Sequence, residues 1–149
     1  MKNHIALILA VILSTSAFAQ DAQLSPDPEP PVLDIRSGAD VTLDEFLWIN
    51  RLIVVFADTD RDPSFQKQMA FLAERPEELQ IRDVVVITDT DPENPSSIRT
   101  QLRPRGFGLV FVDKDGVVKL RKPGPWDVRE ITRSIDKTPL RIQEVRDRR

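Results

Sequence analysis

The side chains spaced to do chemistry in this chain are aspartates. Asp58, Asp60 and Asp62 alternate after one apolar run, and Asp89 and Asp91 follow another. Alternating aspartates open a calcium loop, which then needs a glycine at its sixth position and a bidentate glutamate at its twelfth. Here those places hold Pro63 and Met69, which excludes an EF-hand. What remains is an irregular hard-cation site, calcium the natural ion, formed by Asp58, Asp60, Asp89 and Asp91. Two carboxylates about 6 Å apart at an effective dielectric of about 20 repel by about 3 kcal/mol. A bound cation, a raised pKa or a nearby arginine such as Arg61 would relieve that repulsion. Paired carboxylates also perform acid–base hydrolysis, so the same turns are the candidate enzymatic site. The structural alternative is that these aspartates cap a helix and solvate turns.

A second constellation is cationic. Arg99, Arg103 and Arg105 have the spacing to clamp an anionic ligand, since guanidinium groups match carboxylates and phosphates. Otherwise they form a solvated helix end whose charge complements the helix dipole. Trp48 and Trp126 read as core or corner packing. Trp126 follows Pro123-Gly124-Pro125, and exposed there it would become an interaction anchor.

The absences narrow the chemistry further. The chain has no cysteine and no tyrosine, and its one histidine is His4. Thiol catalysis, disulfides and cysteine–zinc sites are excluded. With His4 removed, as expected below, a Ser-His-Asp triad is excluded too.

The elements that hold these residues begin with an export signal. Lys2 precedes an apolar run over residues 5–13 and an Ala17-Phe18-Ala19 cleavage pattern. This is the layout of a signal peptide over residues 1–19, too short to span a bilayer. Its loss takes Lys2 and moves the formal charge from −3 to −4. An acidic balance argues against nucleic acid as a partner. No later run is long enough to span a membrane. The expected location is outside the cytoplasm, in the periplasm.

Residues 20–32 form a polar leader with Pro26, Pro28, Pro30 and Pro31, a composition that favours extended, solvated backbone. A domain over residues 33–137 follows. A short edge strand is expected at residues 32–35, and Thr42-x-x-Glu45 is a capping-box start for a helix through Trp48. Residues 52–57 are a doubly buried strand. Asp62 and Pro63 then suit the N-cap and first turn of a helix to Glu74, with Phe65, Met69 and Leu72 inward. A second buried strand covers residues 83–88, and Ser96 or Ser97 caps the helix carrying Ile98 and Leu102. Residues 109–112 and 117–121 form a hairpin about Asp113-Lys114-Asp115-Gly116. The closing helix, residues 126–136, turns Val128, Ile131 and Ile135 inward. A charged tail, residues 138–149, is either a docking segment or a frayed end.

Parallel crossovers followed by a hairpin define an α/β three-layer sandwich with a mixed sheet of four or five strands. That order resembles the thioredoxin fold. The Cys-x-x-Cys of thioredoxins is replaced by Asp58 to Ser64, and their cis-proline place falls near Gly108. The resemblance therefore implies the fold without dithiol oxidoreductase activity.

A narrower resemblance rests on three blocks. They are Trp48-x-Asn50-Arg51-Leu52-x-x-Val55-Phe56-Ala57, then Lys114-Asp115-Gly116 with Lys119-Leu120, then Ile135-Asp136-x-x-Pro139-x-Arg141-x-x-Glu144. Together they resemble the bacterial family called domain of unknown function 4174. That resemblance implies an exported thioredoxin-like protein without redox cysteines, and it implies no activity. The expectation is a non-enzymatic binding module for a protein or small ligand of the cell envelope, with no resident cofactor. The alternative is the cation or carboxylate site at the acidic turns.

Overall fold

The computed structural model describes residues 31–149. The signal peptide expected at residues 1–19 and most of the leader expected at 20–32 lie outside them. Five strands form one sheet: β1 (Ile35–Ser37), β2 (Arg51–Phe56), β3 (Val84–Asp89), β4 (Gly108–Val112) and β5 (Val118–Lys122). Their spatial order is β1-β3-β2-β4-β5. β1, β3 and β2 run parallel, β4 is antiparallel to β2, and β5 closes the hairpin. This is the expected mixed sheet, with five strands.

The alternation of a strand explains its two-sided core. Leu52, Val54 and Phe56 point to one face, where Phe46, Ile98 and Leu102 cover them. Ile53 and Val55 point to the other, against Leu72, Leu79, Ile131 and Ile135. Every residue of β2 is buried, as the unbroken apolar run from Leu52 implies for all but Arg51, the charged residue that opens the strand.

Five helices complete the layers: α1 (Pro63–Glu74), α2 (Pro76–Gln80), α3 (Ser97–Leu102), α4 (Val128–Asp136) and α5 (Pro139–Asp147). Asp62 caps α1, its carboxylate accepting from the Ser64 amide at 2.7 Å and the Phe65 amide at 3.3 Å. Ser96 caps α3 by accepting from the Arg99 amide, and Asp127 caps α4.

Three expectations need correction, and one alternative left open is narrowed. The edge strand lies about three residues later than expected. Pro76 ends α1 but opens α2, where proline's fixed φ and missing donor suit a first helical turn. The helix expected through Trp48 is only a 3₁₀ turn, Leu43–Phe46, with Glu45 accepting from the Thr42 amide at 2.7 Å. The tail is not frayed: Thr138 caps α5 through the Arg141 amide, and Arg141 is buried against the domain. Among the described residues, no helix is long and apolar enough to cross a membrane.

Candidate functional site

Open α/β sheets bind ligands at the carboxyl ends of their strands. That edge is where β2 and β3 deliver the two acidic turns. Asp89 is the last residue of β3 and is buried. Arg99 reaches it from α3: Nε donates to Asp89 Oδ1 at 2.9 Å, and Nη2 lies 2.8 Å from the same oxygen. Nη2 also donates to the carbonyls of Ala57 at 2.9 Å and Asp89 at 3.0 Å. Ser96 Oγ donates to Asp89 Oδ2 at 2.6 Å, and the guanidinium stacks 5.3 Å from the Phe56 ring centre. One arginine therefore neutralises the carboxylate and donates to the carbonyl of Ala57, just past β2, and to that of Asp89, the last of β3.

This arrangement corrects two expectations. Arg99 is buried in an internal ion pair, so it does not clamp a ligand beside Arg103 and Arg105. Asp89 is spent in the same pair, so it does not join Asp58, Asp60 and Asp91 around a cation. Asp91 shares a hollow of about 180 Å³ with Asp89, but Asp58 and Asp60 do not line it. Asp91 instead accepts from the Asn94 side-chain and backbone amides, which hold its carboxyl below the usual range. Asp58 and Asp60 are exposed turn residues. Among the described residues, no three acidic or histidine side chains gather into a metal site.

Arg103 and Arg105 remain exposed. Arg103 ends α3 in a left-handed conformation, φ 48°. The two line a groove of about 220 Å³ with Phe107, Arg121 and Lys122, and no acidic residue lines it. The packing expected of both tryptophans holds for Trp126, which does not become an exposed anchor, and fails for Trp48. Trp126 packs on the core under Lys122, whose Nζ lies 4.2 Å from the ring centre. Trp48 is 68% exposed beside Ile49 at 63%. Its φ of 62° is the left-handed region, and its amide donates to the Lys114 carbonyl at 2.7 Å.

The polar cluster that sequence reasoning missed sits at the opposite pole of the sheet. Arg51 opens β2 and is wholly buried. It grips Glu144 of α5 with two hydrogen bonds of 3.1 Å and donates to the Arg82 carbonyl at 3.1 Å. Its Nε lies 2.9 Å from buried Asp113, close enough for charge pairing but off hydrogen-bond alignment. Lys114 bridges Glu144 at 3.0 Å and Asp83 at 2.8 Å. Burial acts to raise the Glu144 carboxyl, but hydrogen bonds and charge from Arg51 and Lys114 outweigh it and bring it down to about 2. Arg82 holds Asp136 through bonds of 2.9 and 2.7 Å and lowers that carboxyl as well.

The signal for this cluster was present in the three family-like blocks. Arg51, Lys114, Asp136, Arg141 and Glu144 are five of their seven charged members, and the fold gathers these five about one buried pair, while Asp115 and Lys119 pair with each other. The centre has no room for a substrate, because the Arg51 and Asp113 side chains have no exposed surface. Its work is mechanical: it clamps α5 and the β4–β5 turn to the start of β2.

The sheet order, the helices on both faces and the missing cysteines define a thioredoxin-like domain without dithiol chemistry. The 2-Cys peroxiredoxin of Plasmodium vivax superposes with a TM-score of 0.54 at 17% identity, over 72% of this chain and 85% of its own. Chloroplastic thioredoxin z superposes with a TM-score of 0.52 at 22% identity, over 72% of this chain and 98% of its own. These likenesses concern the fold alone. The chain belongs to the family described as "Domain of unknown function (DUF4174)", whose model matches residues 42–144. It is also 31% identical, over 133 residues, to coiled-coil domain-containing protein 80 of Danio rerio, matching 69% of this chain. This chain spans only 15% of that relative's length.

Proposed function

We propose that this protein is an exported, periplasmic binding module that uses the thioredoxin-like fold as a scaffold for a partner in the cell envelope. The observation that carries the reading is Trp48. A bulky aromatic side chain is held in left-handed backbone, two-thirds exposed, with Ile49 beside it. Strain of this kind costs about 1–3 kcal/mol and is characteristic of ligand clamps and recognition sites. Tryptophan is also enriched among the residues that dominate protein interfaces. The signal-peptide pattern of residues 1–19 supports the location, and the missing cysteines remove the fold's usual redox task.

The test is capture from cell-envelope extract with tagged protein. The expected result is one reproducible partner retained by the wild type and by Arg103→Ala/Arg105→Ala, and lost from Trp48→Ala. Retention by Trp48→Ala overturns the assignment of this face, and loss only from the arginine variant moves the face to their groove. Cell fractionation with N-terminal sequencing checks the location. A periplasmic chain beginning at Gln20 is expected, and a cytoplasmic chain that keeps residues 1–19 defeats the export reading.

A further inference from the structure

Helix α5 is attached to the domain by charge. Neither apolar cluster of the core includes any of its residues, and the one side chain it buries is Arg141. Its Ile142 and Val145 are exposed. Glu144 sits between Arg51 and Lys114, and Arg148 reaches toward Asp83 at 3.9 Å. A surface element with so few apolar contacts belongs to the low-stability end of a protein.

The charges on the domain balance without α5. If Glu144 departs, Arg51 keeps buried Asp113 at 2.9 Å, Lys114 keeps Asp83 at 2.8 Å and Arg82 keeps Asp136 at 2.7 Å. The departing helix carries its own pair, Arg141 with Glu144 at 3.3 Å. Undocking therefore strands no buried charge, which is what makes a broken interior ion pair costly. The docked arrangement, by contrast, leaves hydrogen bonds unmade. Among the described residues, the buried side-chain atoms without a partner are Arg51 Nε, Asp113 Oδ2 and Arg141 Nε, and all of them lie in this clamp. Arg51 spends its fork on Glu144 and meets Asp113 off alignment. Buried polar groups are normally satisfied, so orphans gathered in one network point to a second arrangement of it. We infer that α5 is a releasable strap: docked, Glu144 fills the seat between Arg51 and Lys114; released, α5 leaves as one unit while the domain through Asp136 stays folded. In the released position Arg51 turns onto Asp113, and water takes up Arg141 Nε and the Glu144 carboxylate. The strap does not rest on the Trp48 reading.

Native-state hydrogen exchange of the full chain at neutral pH, read residue by residue without urea and in dilute urea, tests this. The amides of residues 142–148 should exchange through one shared opening, at least about tenfold more frequent than the opening that frees the β2 amides. Dilute urea should hardly change it, because α5 has little apolar surface to expose. The Ile131 and Ile135 amides of α4 should follow β2. Glu144→Gln should raise the α5 opening by about tenfold. Lys119→Met, which removes the Lys119–Asp115 pair outside the clamp, should leave it unchanged. Protection that only fades toward Arg149, with the Ile142 amide as protected as β2, is fraying and overturns the inference. So does exchange of α5 at the rate and urea slope of β2, which makes it part of the global unit, and so does an unchanged opening in Glu144→Gln. The wild-type pattern decides alone if Glu144→Gln does not fold. A released strap with no captured partner defeats the Trp48 face alone, and partner capture with α5 opening only globally defeats the strap alone.

Discussion

Single residues in this protein carry opposite kinds of cost. Trp48 sits at φ 62°, where an L side chain is crowded and glycine is not. Replacing it with glycine should raise stability by up to about 1 kcal/mol, whereas removal of an ordinary packed tryptophan costs about 3–5 kcal/mol. Urea unfolding of Trp48→Gly decides between these, and a large loss would show that the ring is packing after all. Arg99 behaves in the reverse way. Its removal leaves the Asp89 carboxylate buried without a counter-charge and takes the arginine donor from the Ala57 carbonyl, while the Asp89 carbonyl keeps the Ala57 amide. Breaking such a pair costs about 3–5 kcal/mol, far above an exposed ion pair. Arg99→Ala should therefore shift the urea midpoint strongly, and adding Asp89→Asn should recover part of the loss. A shift as small as that of Arg103→Ala would contradict the buried pair. The sequence did not disclose either role, because it gives residue type without burial. An arginine ten residues after an aspartate reads equally as a solvent-facing clamp.

Among the elements, those with a strong periodic signal were legible and those defined by contact were not. The run ending at Phe56 and the Asp62–Pro63 start of α1 follow from apolar patterning and capping chemistry. So do the inward positions Val128, Ile131 and Ile135 of α4. Helix α5 lacks a comparable apolar face, and what orders it is the pairing of Glu144 with Arg51 and Lys114. That information is spread over residues 51, 114 and 144, so no local window contains it. The pairing makes stability depend on pH in a definite sense. The Glu144 carboxyl stands at about 2 in the folded protein against an ordinary 4.5, so folding favours its ionised form. Its contribution is complete above about pH 4.5, and falls away as the pH drops toward about 2. Discounted for solvent screening of a partly exposed carboxyl, a shift of that size links on the order of 1–2 kcal/mol of stability to its charge. Glu144→Gln should thus be less stable than the wild type at neutral pH, and the two stability curves should converge near pH 2. Parallel curves across that window would show that the clamp is not ionic.

On the scale of the whole molecule, the two poles of the sheet have exchanged their usual importance. In open α/β folds the carboxyl ends of the strands are the place of ligands. Here Arg99 closes that edge from within, Ser96 and Asn94 occupy the remaining aspartate oxygens, and Asp58 and Asp60 face solvent. The exposed side chains that the core does not use lie elsewhere: Trp48 and Ile49 before β2, and Arg146 on α5. The consequence is testable with a cation as probe. A true site at Asp58, Asp60, Asp89 and Asp91 would make calcium raise the melting temperature and make Asp60→Asn remove that rise. A closed edge with solvated turns gives the opposite pattern. Calcium then leaves the melting temperature unchanged apart from weak screening, and Asp60→Asn, by removing one charge from an acidic turn, leaves it equal or slightly higher. A scanning-calorimetry comparison of the two proteins with and without calcium separates the cases. A calcium-dependent rise that disappears in Asp60→Asn would return the working pole to the acidic turns, and Arg99 would then be the residue that poises Asp89 beside the ion.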